Sequence, residues 1–267
     1  MTISKFERLD RILYDLKSFV VAFSGGVDSS FLLHRAATLG LNEILGVTIR
    51  TPYIPAIEID DAVKFTKTYG ISHKIIDLPF PESVRENPPE RCYLCKKTLF
   101  SELLSFAVKN GFSYVLDGSN ADDAGEYRPG LKALTELSVR SPLMEAGLTK
   151  SDIREMSHKA GLPVWDKPAM ACLLTRIPYN TTVNEMMIRR IEEAEVFLYK
   201  KGFPGVRVRV HGDLARIECP VSSFENLIHS PEREQITDYF KKIGFRYVSL
   251  DLEGYRTGSF NPEKSRL

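Results

Sequence analysis

The strongest chemical signal in the sequence is a pair of glycines between serines, Ser24-Gly25-Gly26-Val27-Asp28-Ser29, with Ser30 directly after it. Adjacent glycines let the backbone turn tightly and bring N–H groups against an anion. A helix that begins after such a turn adds unpaired N–H donors and the positive end of its dipole. The run therefore predicts a phosphate loop (residues 24–30). Its expected ligand-facing residues are Ser24, Gly25, Gly26, Asp28, Ser29 and Ser30.

Two common phosphate-binding signatures are missing from the sequence. The loop lacks the lysine of G-x-x-x-x-G-K-[ST], and no G-x-G-x-x-G occurs, which excludes an ordinary P-loop kinase and a dinucleotide site. The simplest alternative is a Gly-Gly turn in which Asp28 or Ser29 caps the next helix. Between a buried strand and a helix, the phosphate loop is the favoured interpretation.

A second polar segment follows another short apolar stretch. This acidic segment (residues 117–123) reads Asp117-Gly118-Ser119-Asn120-Ala121-Asp122-Asp123, and Arg128 follows it in a polar loop. Mg²⁺ favours one or two carboxylates together with phosphate oxygens, whereas an Asp/Asn-rich turn is the alternative. Beside a phosphate loop, the segment predicts a nucleotide and Mg²⁺ site. Its expected members are Asp117, Gly118, Asn120 and Arg128, with Asp122 and Asp123 as candidate metal ligands.

Four cysteines occur, and two of them form a C-x-x-C pair, Cys92 and Cys95. Two thiolates do not complete a metal site, and Cys172 is the natural third ligand. Three cysteines suit a [4Fe–4S] cluster with one open iron, whereas structural zinc would require a fourth ligand such as Cys219. The alternative is two incidental helix cysteines, since free cysteine is often simply buried.

The elements around these motifs alternate between strands and helices. Apolar runs predict strands at 19–23, 43–49, 73–78 and 114–116, and helical spacing predicts helices at 7–16, 31–39, 57–69 and 92–109. The alternation predicts an α/β fold, a doubly wound and mostly parallel sheet with ligands at the carboxyl ends of its strands. A later change of pattern, with a helix at 185–199 and strands at 205–210, 214–218 and 247–252, predicts a smaller C-terminal α+β domain. We therefore expect domains at 1–175 and 176–267.

Length, composition and charge favour a globular protein with room for two domains. The 267 residues carry a formal net charge of +1, which gives no sign of a bulk nucleic-acid binder. A hydrophobic fraction of 43% excludes a disordered chain, and no apolar run approaches the roughly 18–20 residues of a membrane span. The first 17 residues lack a signal-peptide pattern, and so few cysteines exclude a disulfide scaffold. We expect a cytoplasmic protein.

The phosphate loop resembles that of the PP-loop ATP pyrophosphatase superfamily (adenine nucleotide alpha hydrolase-like), which includes GMP synthetases, NAD synthetases and tRNA thiolases. Further motifs resemble the LarE family, ATP-dependent sulfur-insertion enzymes of nickel-pincer cofactor synthesis for lactate racemase. The likeness covers about residues 5–220. Besides the acidic segment, its motifs are Ser141-Pro142-Leu143, Gly147-Leu148-Thr149-Lys150, Trp165-Asp166-Lys167-Pro168, Ala171-Cys172-Leu173, Arg176-Ile177-Pro178-Tyr179, Arg207-Val208-Arg209-Val210-His211 and Ala215-Arg216-Ile217-Glu218.

The resemblance implies an AMP-forming sulfur transfer. ATP would adenylate a carboxylate of pyridinium-3,5-biscarboxylic acid mononucleotide with release of pyrophosphate, and sulfur would displace AMP to give a thiocarboxylate. Asp28 would lie near the phosphates and Mg²⁺, Lys97 would stabilise developing charge, and Cys172 would handle sulfur. In one branch of the family the matching cysteine surrenders its own sulfur; in another, three cysteines hold a [4Fe–4S] cluster that carries an extra sulfide. The pair Cys92 and Cys95 favours the second branch.

Charged residues in the second half complete the expected site. Arg207 and Arg209 are two apart on a predicted strand, so they share a face, and paired guanidinium groups suit a substrate phosphate. The resemblance also places the mononucleotide phosphate there, and it matches Glu195 and Glu218 to acidic positions that bind a divalent metal or orient the substrate. A solvated sheet face is the alternative.

Two other functions remain open. A tRNA thiolase shares the loop, the C-x-x-C pair and a remote third cysteine, but it needs a basic RNA surface, which a net charge of +1 does not favour. A non-catalytic nucleotide-binding or metal-carrier protein would use the same motifs without turnover. We expect a small pyridinium mononucleotide as the substrate and no nucleic-acid or membrane partner. From the resemblance, we expect a homo-oligomer such as a hexamer.

Overall fold

The structure is a computed structural model that describes residues 3–41, 43–125, 129–168, 171–229 and 231–256. The strands in these ranges are β1 Ser18–Ala22, β2 Glu43–Arg50, β3 His73–Asp77, β4 Tyr114–Leu116, β5 Arg207–His211, β6 Leu214–Glu218 and β7 Tyr247–Leu250. The helices are α1 Lys5–Leu16, α2 Val27–Thr38, α3 Ala56–Thr68, α4 Arg91–Lys109, α5 Pro129–Glu136, α6 Pro142–Glu145, α7 Lys150–Lys159, α8 Glu185–Lys200, α9 Phe224–Ile228 and α10 Glu232–Lys242. None of these helices is long and apolar enough to cross a lipid bilayer.

The chain divides into two compact units. The first contains Met1–Ser83 and Glu90–Met170, and the second contains Val84–Pro89 and Ala171–Leu267. The first unit is built on a sheet of order β3-β2-β1-β4 in which every neighbouring pair is parallel. Its central strand β1 is apolar and buried, as expected for a parallel strand that is covered on both faces.

Helices pack on both faces of the first sheet. One apolar cluster joins Phe19 and Val21 of β1 to residues of α1, α2, α3 and α7. The other joins Val20 to residues of α4 and α5. Successive residues of a strand point to opposite faces, so the two clusters lie on opposite sides of the sheet. The predicted α/β fold with a doubly wound parallel sheet is confirmed.

The two polar motifs follow neighbouring strands of this sheet. The phosphate loop follows β1 and the acidic segment follows β4, which pairs with β1 in the register Val20↔Val115. Because parallel neighbours end at the same edge of a sheet, both motifs come together at its carboxyl edge. This is the edge at which open α/β sheets bind ligands.

The second unit contains a smaller sheet of order β5-β6-β7. Strands β5 and β6 form an antiparallel pair across Gly212 and Asp213, and β7 adds parallel to β6. Buried residues of α8 and α10, among them Ile191 and Phe240, contribute to the apolar interior. A mixed sheet with separate helices is the α+β pattern expected for this part of the chain.

Several local predictions were wrong. Helix α2 begins at Val27, one turn before the predicted Phe31, because Gly26 is already the residue that caps the helix. Helices α5, α6 and α7 were not predicted. Residues 84–89 belong to the second unit, where the buried Asn87 side chain donates to the Ile177 carbonyl at 2.9 Å. The domain boundary at residue 175 stays a prediction.

Candidate functional site

The phosphate loop is tied together by its own hydroxyl groups. Ser29 Oγ donates to the Gly26 carbonyl at 3.2 Å and lies 3.1 Å from Ser24 Oγ, which accepts from the Gly26 N–H at 3.3 Å. Gly25 has a φ of +70°, and a Cβ there would lie 3.2 Å from the backbone nitrogen of Ala62. Both conformation and space therefore require glycine at position 25. No side chain caps α2 at Gly26, so its first N–H groups suit an anion.

The predicted loop ligands differ in exposure. Ser24 is exposed, Gly26 and Asp28 are partly exposed, and Ser29 is buried within the hydrogen bonds of the loop. Ser30 is fully buried, and its Oγ has no hydrogen-bond partner among the described residues. In this conformation Ser24 and Gly26 are accessible from solvent, whereas Ser30 is not. The role of Ser30 as a phosphate donor stays a prediction.

Asp28 is paired with a lysine that the sequence analysis did not assign to the site. Lys150 Nζ lies 2.5 Å from Asp28 Oδ2, and Asn120 Nδ2 donates to Asp28 Oδ1 at 3.4 Å. Lys150 is the first residue of α7, and its backbone N–H donates to Asp122 Oδ2 at 2.8 Å. The loop lacks a lysine of its own, and this helix brings one to it. The available signal was the motif Gly147-Leu148-Thr149-Lys150.

The acidic segment lies against the phosphate loop. A Cβ at Gly118 would be 3.0 Å from the Ser29 nitrogen, so only glycine permits this approach. Asp117 is buried and accepts from Ser119 Oγ and Ser141 Oγ, both at 2.5 Å. The acidic segment therefore packs against the phosphate loop, and its buried Asp117 is held by serine hydroxyl groups.

The aspartates of the segment do not form a metal cage. Asp123 is buried and accepts the Asn120 N–H at 2.9 Å, whereas Asp122 is exposed. Across the ranges that the structure describes, no group of three or more His, Cys, Asp or Glu side chains is placed to hold a metal ion. A Mg²⁺ ion that takes most of its ligands from phosphate oxygens and water would not need such a group. Arg128 lies outside the described residues.

Adjacent lysines on α4 reach different neighbours. Lys97 Nζ donates to Glu136 Oε2 at 2.8 Å and to the Tyr93 hydroxyl at 2.9 Å, and these hydrogen bonds raise the pKa of Lys97. Lys96 Nζ instead lies 3.8 Å from Asp117 Oδ2. Lys96 is therefore the lysine that reaches the acidic segment, and a catalytic role for Lys97 stays a prediction.

The C-x-x-C pair occupies the first turns of α4. Cys92 is exposed and Cys95 is half-buried, with the hydroxyl of the buried Tyr53 3.1 Å from Cys95 Sγ. Neither cysteine forms a disulfide, and the same is true of Cys172 and Cys219. Burial raises the pKa of Cys219 to about 11, which is typical of an inert thiol rather than a ligand or nucleophile.

In the second unit, the backbone of Cys172 is held by its neighbours. Its carbonyl oxygen accepts from the Thr175 N–H at 3.1 Å, from Thr175 Oγ1 at 2.9 Å and from Arg176 Nη1 at 3.2 Å. Arg176 is fully buried and makes a two-pronged pair with Glu195 at 2.8 and 2.9 Å. Burial would lower the pKa of Arg176, but the hydrogen bonds and charge of Glu195 raise it. A permanent cation therefore fixes the Cys172 backbone.

The paired arginines of β5 are buried rather than solvated. Arg209 Nε and Nη2 donate to Glu218 Oε2 at 2.9 and 2.8 Å, and Arg216 lies 3.0 Å from the other oxygen of that carboxylate. Burial and then the charge of Arg176 lower the pKa of Arg207. Because Arg207 and Arg209 are buried, the alternative of a solvated sheet face is excluded. Glu195 and Glu218 both form ion pairs with arginines. A metal-binding role for either glutamate stays a prediction.

Comparison with known proteins identifies the family. No protein-family model matches the chain. It is 37% identical to the pyridinium-3,5-bisthiocarboxylic acid mononucleotide synthase of Lactiplantibacillus plantarum over 252 residues, which cover 93% of this chain and 91% of the synthase. This chain belongs to the family of that synthase, the LarE family. An uncharacterised protein of Synechocystis sp. is also 37% identical, over 97% of both chains.

More distant relatives of this LarE-family chain act on tRNA. The tRNA-specific 2-thiouridylase MnmA of Rickettsia rickettsii is 27% identical over 229 residues, which cover 70% of this chain and 62% of the thiouridylase. MnmA is a PP-loop enzyme, so the predicted superfamily is confirmed. The prediction that the LarE-family chain is an enzyme, a sulfur transferase of the PP-loop class, is confirmed as well.

Proposed function

We propose that this LarE-family enzyme uses ATP to adenylate a carboxylate of pyridinium-3,5-biscarboxylic acid mononucleotide and converts it to a thiocarboxylate. The observation that carries the proposal is the likeness, over nearly the whole chain, to a synthase whose named product is a bisthiocarboxylic acid mononucleotide. A carboxylate does not lose oxygen to a sulfur nucleophile unless that oxygen becomes a good leaving group. Transfer of AMP to the carboxylate supplies one, because sulfur then displaces AMP.

The phosphate loop is the proposed site of the ATP phosphates. The free N–H groups at the start of α2 would bind them, with Ser24, Gly25 and Gly26 forming the turn. Asp28 lies beside Lys150, so a carboxylate for Mg²⁺ and a cation for phosphate are already adjacent. We propose that Asp117, Gly118, Asn120 and Arg128 complete the nucleotide site. Asp122 and Asp123 remain candidate metal ligands.

Cys172 is the proposed sulfur residue. Three cysteines that form no disulfide supply the donor chemistry of a [4Fe–4S] cluster with an open iron, and Cys92 and Cys95 lie one turn apart on α4. The described residues do not bring three such side chains together, so what the structure supports is two adjacent thiols. When bound, the cluster would carry the sulfide. The alternative is that Cys172 gives up its own sulfur.

The substrate phosphate is assigned to the arginines of β5. Arg209 and Arg216 both pair with Glu218, and Arg216 also lies 3.5 Å from Asp251 Oδ2. Arg207 is buried with the charge of Arg176 nearby. Positive charge confined in this way favours a phosphate dianion. We propose that Arg207 and Arg209 bind the substrate phosphate together.

Product formation tests the proposed reaction directly. The purified enzyme is incubated without oxygen with ATP, Mg²⁺ and the pyridinium mononucleotide, and AMP, pyrophosphate and thiocarboxylate are measured. We expect all three products with wild type and none without the mononucleotide. Pyrophosphate release with bulk tRNA instead, together with a tRNA gel shift at about physiological salt, would favour a tRNA thiolase. Binding of ATP without AMP formation would favour a non-catalytic carrier.

Spectroscopy and intact mass separate the two sulfur sources. A cluster predicts brown protein after anaerobic reconstitution, with the colour lost in Cys92→Ser and Cys95→Ser and kept in the matched variant Cys219→Ser. Sacrificial transfer instead predicts colourless protein in which Cys172 loses the mass of one H₂S after a single turnover. Colourless wild type with an unchanged mass after turnover would contradict both.

The two lysines of α4 offer a matched pair of variants. Lys96 approaches Asp117, whereas Lys97 is held by Glu136 and Tyr93. We expect Lys96→Met to lower AMP formation more than Lys97→Met. The reverse order would support the role that the sequence predicted for Lys97.

Assembly and location belong to the same proposal. We propose that the enzyme acts in the cytoplasm as a homo-oligomer, with a hexamer as the expected form, and that its product serves the maturation of a lactate racemase. Light scattering after size-exclusion chromatography gives the oligomeric mass. A monomer at assay concentration would contradict the proposed assembly.

A further inference from the structure

Lys167 contacts the phosphate loop from a segment to which the proposed function assigns no role. Its Nζ donates to the Gly25 carbonyl oxygen at 3.2 Å and to Asp61 Oδ2 at 2.6 Å. The Lys167 side chain is only 18% exposed, and all three residues belong to the first unit. The lysine is 142 positions away from Gly25 in the sequence, so packing rather than chain proximity makes this contact.

The backbone of Lys167 is itself fixed. Arg154 of α7 donates through Nη1 to the Trp165 carbonyl at 2.8 Å and through Nη2 to the Lys167 carbonyl at 3.0 Å. The Lys167 N–H donates to the Val164 carbonyl at 3.1 Å. The ammonium group therefore extends to the loop from a fixed point.

The Gly25 carbonyl determines where the loop presents its next N–H group. In a planar trans peptide the C=O and the following N–H point in opposite directions, so the Gly25 carbonyl sets the direction of the Gly26 N–H. Gly25 has a φ of +70°, and at a glycine the backbone can rotate to another conformation at little cost. The hydrogen bond from Lys167 selects one orientation of this peptide. It also prevents a carbonyl oxygen from turning towards a bound phosphate.

We propose that Lys167 is a positioning residue for the phosphate loop: its ammonium group fixes the Gly25 peptide in the orientation that binds the ATP phosphates. The inference rests on the proposed function, because it takes ATP as the ligand of the loop.

Calorimetry with matched variants tests the positioning role. Lys167→Met keeps the apolar stem and removes the donor. We expect MgATP to bind about tenfold more weakly, as for the loss of a charge-assisted hydrogen bond, and Lys167→Arg to recover much of that loss. Lys159→Met, at an exposed lysine paired with Glu155, is the control and should bind as wild type does. Equal affinity of wild type and Lys167→Met would overturn the role.

Hydrogen exchange supplies a readout that does not depend on ATP. Amides of residues 24–30 should exchange faster in Lys167→Met than in wild type while the remaining amides are unchanged. A general loss of fold would accelerate all of them. Should Lys167→Met not fold, Asp61→Asn removes the carboxylate that holds the ammonium group, at a side chain that is 44% exposed. The same local acceleration is expected there, and its absence would contradict the role.

The role of Lys167 and the proposed function fail in different ways. If wild type binds MgATP but forms no thiocarboxylate, the proposed function fails, whereas the affinity and hydrogen-exchange measurements still decide the role of Lys167.

Discussion

The pair between Arg176 and Glu195 makes a sharp prediction about what Glu195 does. Arg176 is fully buried and Glu195 nearly so, and two hydrogen bonds of 2.8 and 2.9 Å join them. Glu195 Oε1 also accepts the Val208 N–H at 2.9 Å. Glu195→Ala would leave a buried guanidinium without this carboxylate and a strand N–H without its acceptor. We therefore expect a large loss of stability without any metal in the solution.

The expected magnitude follows from the burial of the pair. Removing one partner of a buried ion pair costs about 3–5 kcal/mol, and the lost bond to Val208 adds about 1 kcal/mol. The matched control is Glu193→Ala, on the same helix, where Glu193 pairs with Arg189 at 2.8 Å but the arginine side chain is 80% exposed. An exposed pair at this spacing contributes roughly 0.3–0.5 kcal/mol. The two variants should thus differ in unfolding free energy by about 3 kcal/mol or more.

Urea unfolding followed by circular dichroism measures this difference, with and without Mg²⁺. The structural interpretation predicts that Glu195→Ala is destabilised equally in both buffers. If Glu195 acts mainly as a ligand of a divalent metal, Glu195→Ala should match Glu193→Ala in metal-free buffer and differ only when Mg²⁺ is present. That pattern would refute the reasoning from burial.

Three further predictions concern the loop, a thiol and a carboxylate. Gly25→Ala and Gly40→Ala both force alanine to a φ near +70°, at about 1–2 kcal/mol each. Only the former meets the Ala62 backbone, so calorimetry should show weakened MgATP binding in Gly25→Ala alone. Cys219, with its raised pKa of about 11, should resist iodoacetamide at neutral pH while Cys92 reacts, as peptide mass spectrometry would show; rapid modification of Cys219 in folded protein would contradict its burial. The hydrogen bond from Lys5 and those from Thr149 lower the pKa of Asp152 from 3.8 to about 2. The ionised Asp152 therefore contributes to the free energy of unfolding above the pKa of the unfolded chain, and this contribution is lost as pH falls from 3.8 towards 2. Asp152→Asn should flatten the loss of unfolding free energy over this range, and an unchanged acid profile would argue against the ion pair.

The elements and motifs that depend on neighbouring residues could be predicted from the sequence. The strand, turn and helix around Gly25 and Gly26 are encoded within about twenty residues, and the observed fold agrees with them. The start of α2 was misplaced by one turn because Val27–Ser30 read equally well as loop or as helix. Helix α7 was missed, and with it the contact of Lys150 with Asp28. The sequence predicted a role for Lys97 and missed the approach of the adjacent Lys96 to Asp117, because the neighbours of both lysines come from other segments.

The sequence by itself therefore determined the phosphate loop, the parallel α/β sheet and the family, since each depends on residues close together in the chain. Only the tertiary structure showed which partners the charged side chains contact. Lys150 reaches Asp28 across 122 positions and Lys167 reaches Gly25 across 142, and no local pattern encodes such distances. It also showed that Glu195 and Glu218 face arginines, because strand register and helix packing bring those groups together. The physical reason is that local backbone preferences are set by adjacent residues, whereas the partner of a buried charge is set by the packing of the whole unit.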